Sequence, residues 1–177
     1  MGETLSPELQ RLLDRQAISD CLHRYSRGLD RHDREVLASV YHEDALDHHG
    51  DFVGLRDEFV PWADELLASE WDAHTHFLDV NNVDIEGDVA HSECYVLFVQ
   101  RRRDGAGVDL GGGRYIDRLE RRDGEWRVMA RELVIEWTAR ADNALYADVR
   151  AYPTGRWDRS DVSYRRPFEI ELPGGSR

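Results

Sequence analysis

The sequence predicts an α+β fold in which helices pack on one curved, mainly antiparallel sheet. In most of the chain up to Ser69 the apolar residues recur at spacings of three and four, which is the helical period. From His74 onwards apolar and polar residues alternate, which is the period of a β-strand. Helices followed by a run of long strands are typical of α+β proteins, in which the helices cover one face of the sheet.

We expect three helices in the first part of the chain. Ser6-Pro7-Glu8 predicts the start of the first, because serine caps helices well and proline suits the first helical position. Asp33 can cap a second, short helix that directs Tyr41 inward. The third is expected over about Leu55 to Ser69, and a short strand or extended turn over Ala45 to Val53.

Four long strands complete the predicted domain: His74–Ile85, Val89–Arg103, Gly112–Arg122 and Glu125–Trp137. The Asp123-Gly124 dipeptide between the last two is a strong hairpin signal. The three glycines at 111–113 are not followed by a helix, so we expect a bulge that curves the sheet rather than a phosphate loop.

The length of 177 residues fits one domain, which we place at residues 1–137, with a C-terminal extension at 138–177. A short helix around Leu145 to Tyr152 is possible at the start of the extension. Trp157, Tyr164 and Phe168 would be unusual in a disordered tail, so we expect the extension to dock as a lid or on a neighbouring subunit.

The composition excludes several classes of function. The net charge of −13 argues against a nucleic-acid partner, and all 23 basic residues are arginines, which excludes a Schiff-base lysine and a Walker A loop. We expect no cofactor. Cys21 and Cys94 lack a redox or metal spacing, and the sequence shows no signal peptide or membrane span, so we expect a cytoplasmic protein without a membrane partner.

The stretch from Gln16 to Gly50 carries the first candidate functional residues. Tyr25 lies on the apolar face of the first helix, and Asp30 follows where Gly28 suggests that this helix ends. A phenol and a carboxylate directed inward are costly unless the interior holds polar groups. We therefore interpret this helix as one wall of a pocket.

His74 and His76 share one face of the first long strand. A lone histidine in a core is more often satisfied by a structural hydrogen bond. Here an inward aspartate could fix the tautomer of one imidazole and leave its other nitrogen as a general base.

Arg131 falls in an apolar strand phase, so it must meet either a substrate oxygen or an internal partner, Asp117 or Glu93. His48 and His49, together with the His-x-His pair, raise a metal-site alternative. Because no third ligand has a convincing spacing, we expect no metal.

Four stretches together resemble the SnoaL-like branch of the nuclear transport factor 2-like superfamily: Gln16–Gly50, His74–His76, Glu120–Trp126 and Arg131–Leu133. The resemblance covers about Leu9 to Trp137. It implies a cone-shaped α+β barrel in which helices close one side of a strongly curved sheet over a deep apolar pocket.

The resemblance also implies roles for individual residues. Related enzymes of the scytalone dehydratase, hexachlorocyclohexane dehydrochlorinase and bile-acid 7α-dehydratase type eliminate without a cofactor through an aspartate–histidine dyad. Asp30 and His76 match that dyad, with His76 a better match than His74, and Tyr25 matches a tyrosine that polarises the substrate oxygen. Arg131 matches a substrate-binding arginine, to which we add Tyr41 and Trp62.

These observations predict a cofactor-independent lyase or isomerase that acts on a hydrophobic, polycyclic or aromatic, oxygenated small molecule. The alternative is a non-catalytic ligand-binding or assembly subunit of the same fold, such as a dioxygenase β subunit. The resemblance further implies a homodimer or homotrimer, because this fold commonly associates through its sheet.

Overall fold

The computed structural model describes residues 5–142, 152–168 and 170, and an α+β architecture accounts for most of these ranges. The elements are α1 (Pro7–Asp30), α2 (Arg34–Ala38), β1 (Tyr41–His49), β2 (Phe52–Leu55), α3 (Arg56–Glu70), β3 (Trp71–Glu86), β4 (Val89–Arg102), β5 (Val108–Arg122) and β6 (Glu125–Ala141). The predicted fold class, helices on a curved and mainly antiparallel sheet, is confirmed.

Helix α1 begins and ends where its sequence signals place it. The Ser6 hydroxyl accepts a hydrogen bond from the backbone N–H of Leu9 at 3.2 Å, and the helix ends at Asp30. Near that end Gly28 lets α1 approach α2 closely, because a side chain there would overlap the backbone of Leu37. The apolar face of α1 lies against the sheet, which fixes where Tyr25 and Asp30 point.

The second helix is shorter than we predicted. It ends at Ala38, and Tyr41 begins strand β1 instead of lying on a helix face. Tyr41 pairs with Val128 in a parallel ladder, so partner-strand hydrogen bonding outweighs the helical spacing at this point. The stretch predicted as a short strand or turn is a hairpin of β1 and β2, which turns at Gly50 with φ 71°.

The six strands form one open sheet in the order β2-β1-β6-β5-β4-β3, in which the pair β1–β6 is parallel and the other pairs are antiparallel. The register of β5 and β6 shifts between Gly112 and Gly113, which confirms the predicted bulge. The predicted Asp-Gly turn is also present, with Asp123 at φ 52° and Gly124 at φ 83°. Register shifts of this kind bend a strand, and the curved sheet faces α1 and α3.

The part of the C-terminal extension that the structure describes docks on the turn between α1 and α2. The Tyr164 hydroxyl donates to Asp33 at 2.7 Å, and Arg31 pairs with Asp161 at 3.3 Å. Strand β6 continues past residue 137, and the helix expected around Leu145 lies outside the described residues. No helix in the described ranges is long and apolar enough to span a membrane.

Candidate active site

A cavity of about 570 Å³ lies between α1, α3 and the concave face of the sheet. Its volume falls in the range of small-molecule sites, and its walls are mostly aromatic and aliphatic. The chamber is mainly apolar, and its polar lining residues come from five strands: His49 on β1, His76 on β3, Gln100 on β4, Asp109 on β5, and Thr138 and Arg140 on β6. Its ring-bearing lining residues include Tyr25, His49, Phe59, Trp62, His76 and Tyr115.

Asp30, the last residue of α1, reaches across to β3 and accepts hydrogen bonds from two histidines. Its Oδ1 lies 2.7 Å from Nδ1 of His76 and 3.2 Å from Nδ1 of His74. Its Oδ2 accepts the backbone N–H of His76 at 3.0 Å. The carboxylate thereby fixes both imidazole rings with their Nδ1 atoms as donors.

The two histidines differ in what their second ring nitrogen meets. His76 lines the cavity, and its Nε2 makes no hydrogen bond within the part of the chain that the structure describes. The side chain of His74 is fully buried, and its Nε2 lies 3.0 Å from Nε2 of His32. Of the two, therefore, only His76 presents a nitrogen that a bound molecule could reach.

Sequence reasoning missed His32 and Asp64. His32 sits in the turn after α1 with φ 50°, and its Nδ1 lies 2.7 Å from Oδ1 of Asp64 on α3. An unbroken line of contacts thus runs from Asp64 through the rings to Asp30 and the cavity. The only sequence signal for His32 is its place directly after the predicted end of α1. We refer to these residues as the histidine cluster: Asp30, His32, Asp64, His74 and His76.

The protonation of this cluster follows from burial and hydrogen bonding. Burial alone would raise the pKa of Asp30, but the hydrogen bonds from His74 and His76 outweigh it and lower the pKa to about 2. Burial lowers the pKa of His32, and the carboxylate of Asp64 acts in the opposite direction. Asp30 is therefore ionised at neutral pH.

Tyr25 contributes a buried phenol to the cavity wall. Its ring packs edge-on against Tyr115 at 5.2 Å and stacks on Phe59 at 6.4 Å. Its hydroxyl is buried without a hydrogen-bond partner among the described residues. Burial raises the pKa of Tyr25 well above its ordinary value, so the group is a protonated donor. A buried donor without a partner is uncommon.

Arg131 lies behind the cavity wall and does not line it. It donates through Nε and Nη2 to the two oxygens of Asp117, at 2.6 and 2.8 Å, and both side chains are fully buried. Of the two alternatives that the sequence leaves open, the structure thus contains the internal salt bridge. The guanidinium also lies 4.1 Å from the ring centre of Tyr25 and 4.3 Å from that of Tyr115.

The two further predicted binding residues occupy different positions. Trp62 lines the cavity and stacks on Phe52 at 4.7 Å. Tyr41 is fully buried outside the cavity lining, where its hydroxyl donates to Asp47 at 2.7 Å. His49, which does line the cavity, contacts the other oxygen of Asp47 at 3.1 Å.

The geometry of Asp30, His74 and His76 is that of hydrogen bonds. Their possible ligand atoms lie within 4.8 Å of one another. Both Nδ1 atoms, however, contact a single carboxylate oxygen at 2.7 and 3.2 Å, and tetrahedral coordination at about 2.1 Å would need larger separations. We do not identify them as metal ligands. His48 instead contacts Glu132 at 3.4 Å, apart from this group.

The fold and the chamber together define a class: cone-like α+β proteins in which helices close a curved sheet over an apolar pocket. Within that class, the model of the SnoaL-like domain matches residues 10–132, and the chain belongs to this family.

Solved structures of low sequence identity share the fold. The chain superposes with a TM-score of 0.74 on a type 2 hexachlorocyclohexane dehydrochlorinase at 21% identity, covering 81% of this chain and 99% of that one. It superposes with a TM-score of 0.68 on a putative scytalone dehydratase from Novosphingobium aromaticivorans, also at 21% identity, covering 81% and 97%. A type 3 dehydrochlorinase from Novosphingobium barchaimii gives a TM-score of 0.72 at 20% identity, covering 80% and 99%. No curated protein sequence matches the chain.

Proposed function

We propose that this protein is a cofactor-independent lyase, or an isomerase, for a hydrophobic, polycyclic or aromatic, oxygenated small molecule. One observation carries the proposal: His76 is held by a carboxylate at Nδ1, and its Nε2, which meets no partner among the described residues, lies at the wall of an apolar chamber. An imidazole fixed in this way is a general base poised towards whatever the chamber binds.

In the elimination, Nε2 of His76 takes a proton from a carbon next to a carbonyl. The hydroxyl of Tyr25 donates to the carbonyl oxygen as negative charge develops there. The electron pair of the broken C–H bond forms the new double bond, and hydroxide leaves from the adjacent carbon with the proton that His76 carries. Asp30 stabilises the transient imidazolium, and the products are the alkene and water.

An isomerase would use the same residues for a shorter sequence. His76 would return its proton to a different carbon of the conjugated system, and no group would leave. The carboxylate of Asp30 and the phenol of Tyr25 keep the same roles. Both reactions need one base and one oxyanion donor in an apolar environment, where water does not weaken either contact.

We propose that Trp62 contacts the substrate directly, because it forms part of the aromatic wall. Arg131 and Tyr41 lie behind that wall, so we assign them an indirect role. The guanidinium of Arg131 lies 4.1 Å from the ring centre of Tyr25. Its positive charge stabilises negative charge on the phenol oxygen, so the hydroxyl becomes a stronger hydrogen-bond donor to an oxyanion.

The fold neighbours support an elimination. Two carry the name of a dehydrochlorinase and one that of a putative dehydratase, and both names describe elimination reactions. Identity near 21% transfers the fold alone, so the residues of the chamber carry the argument for this chain.

The test is a substrate panel with a matched pair of variants. Ring-fused β-hydroxy ketones would be assayed by mass spectrometry for loss of water, and hexachlorocyclohexane for release of chloride. On any substrate that reacts, His76→Ala should lower turnover by about 10²–10⁴-fold. His91→Ala, which removes an exposed histidine on β4, should leave turnover unchanged.

Turnover by His76→Ala within a few-fold of wild type would contradict the proposed base. Retention of a hydrophobic ligand without turnover of any panel member would favour the non-catalytic binding subunit instead. We expect added metal, chelator or nicotinamide cofactor to leave the rate unchanged.

We propose a homodimer or homotrimer that associates through the outer face of the sheet. This face exposes large apolar side chains on three strands: Phe77, Tyr95, Leu97 and Trp137. Light scattering should detect a smaller species for Trp137→Arg and no change for Leu12→Arg, which alters an exposed apolar residue on α1.

We also propose a cytoplasmic location, because Cys21 and Cys94 are free and buried thiols.

A further inference from the structure

His32 and His74 form a bridge between two carboxylates. Their Nε2 atoms face each other at 3.0 Å, and their Nδ1 atoms face Asp64 at 2.7 Å and Asp30 at 3.2 Å. The bridge is enclosed, since the side chain of His74 is fully buried and that of His32 is 8% exposed. It contacts the active-site carboxylate at Oδ1, the same oxygen that faces Nδ1 of His76.

The number of protons in this bridge follows from its three contacts. Each contact joins two atoms that both accept hydrogen bonds when unprotonated, so each needs one hydrogen between them. Two neutral imidazoles supply only two N–H groups. With both carboxylates ionised, a third proton is required, and one of the two rings is then an imidazolium.

We propose that His32 and His74 are positioning residues that hold one shared proton between Asp64 and Asp30, and that this charge keeps His76 neutral and available as a base. The statement that His76 is kept available as a base rests on the proposed function. The physical reason is charge balance at Asp30. A carboxylate alone beside an imidazole favours the imidazolium, which cannot accept a proton from a substrate. A second cation on the same carboxylate offsets that effect.

The surroundings of the bridge balance its charge. Asp64 also accepts from Nε of Arg34 at 2.6 Å, so two carboxylates face one guanidinium and one imidazolium. Arg31 lies beside His32 but is paired with Asp161. On the neighbouring strand β4, the residue paired in register with His74 is the uncharged Gln100. The ring of Trp157 packs against both imidazoles, and the guanidinium of Arg103 lies 5.9 Å from the centre of the Trp157 ring.

Two features place the charge mainly on His74. Burial lowers the pKa of His32, which disfavours an imidazolium on that ring. His74 lies against Asp30, whose pKa of about 2 keeps the carboxylate ionised. In the resulting arrangement His74 donates from both nitrogens, and His32 accepts at Nε2 and donates to Asp64 from Nδ1.

The test is nitrogen NMR of the full chain labelled with ¹⁵N-histidine, because ¹⁵N shifts distinguish neutral from charged rings. Among the eight histidines, the signals of His32, His74 and His76 would be assigned by their loss in His32→Gln, His74→Gln and His76→Gln. At pH 8, where a free imidazole is almost wholly neutral, one ring of the pair should still be charged in the wild type. Asp64→Asn should lower the pH at which this charge is lost by about one unit or more.

Glu65→Gln is the matched control, because it removes an equal charge from an exposed neighbour on α3. It should leave the titration of the bridge unchanged. Two neutral rings in the wild type at pH 8, or equal responses to Asp64→Asn and Glu65→Gln, would overturn the shared proton.

The effect on His76 is measured in the same spectra. In His74→Gln the titration midpoint of His76 should rise by about one pH unit, since the neighbouring cation is gone. An unchanged titration midpoint of His76 would overturn the proposed effect of the bridge on His76. These signals need no substrate, so a protein that shows them but eliminates nothing would refute the proposed function and leave the shared proton intact.

Discussion

Replacement of Asp30 by asparagine tests the histidine cluster without any knowledge of the substrate. The pKa of Asp30 falls from 3.8 to about 2 on folding, and its side chain is 13% exposed. A lowering of about two units corresponds to about 2.5 kcal/mol of folding free energy at pH 7. Because the folded-state pKa is the lower one, this stability is present above pH 4 and is lost as the pH falls towards 2.

The assay is urea unfolding of the wild type and Asp30→Asn between pH 7 and pH 3. The difference in unfolding free energy should be about 2–3 kcal/mol at pH 7 and about half of that at pH 3. Asp104→Asn is the control. The Asp104 carboxyl also has a pKa of about 2, through Arg102, but its side chain is 53% exposed, so solvent screens the pair and we expect a much smaller change. A pH-independent difference for Asp30→Asn would refute the reasoning.

Three other perturbations probe the remainder of the site. Tyr25→Phe removes a buried hydroxyl that has no hydrogen-bond partner in the part of the chain that the structure describes, so urea unfolding should give a stability within about 1 kcal/mol of wild type, while turnover should fall by about 10²-fold. Asp117→Asn leaves the buried charge of Arg131 without its counter-ion and should cost about 3–5 kcal/mol, whereas the double replacement Asp117→Leu with Arg131→Met should cost less. Gly111→Ala would place a methyl group against the ring of Phe98; we expect a loss of about 1–3 kcal/mol in thermal unfolding and weaker binding of hydrophobic dyes in the cavity.

Much of the fold was predictable because its periodicities are long and unbroken. Three signals depend only on residues that are close together in the sequence: the apolar face of α1, the change to alternation in β3 and the Asp123-Gly124 turn. The structure contains all three. The second helix is present with its predicted Asp33 cap, but the prediction extended it too far, because Tyr41 pairs with Val128, far away in the sequence. Local spacing carries no information about such a partner.

The partner of Arg131 illustrates the same limit at the level of one residue. Its strand phase predicts that it points inward, and it does. Counting back from the tight turn, an unbroken ladder would pair Arg131 with Ile116. The register shift between Arg118 and Leu119 moves Asp117 into that position, where it meets the guanidinium. A bulge of one residue thus determines which group neutralises the buried charge, and the sequence does not reveal where the bulge occurs.

The position of Asp30 at the end of α1 connects the fold to the proposed proton bridge. The C-terminal end of a helix carries a partial negative charge, which disfavours a carboxylate there. Asp30 is nonetheless held ionised, with two ring nitrogens and one backbone N–H directed at it. Neutral hydrogen-bond donors compensate only in part for the negative charge at the helix end. An imidazolium on His74, in contrast, brings a full positive charge to Oδ1 of Asp30. The helix that directs Asp30 into the chamber therefore also creates the electrostatic demand that the proposed bridge between His32 and His74 meets.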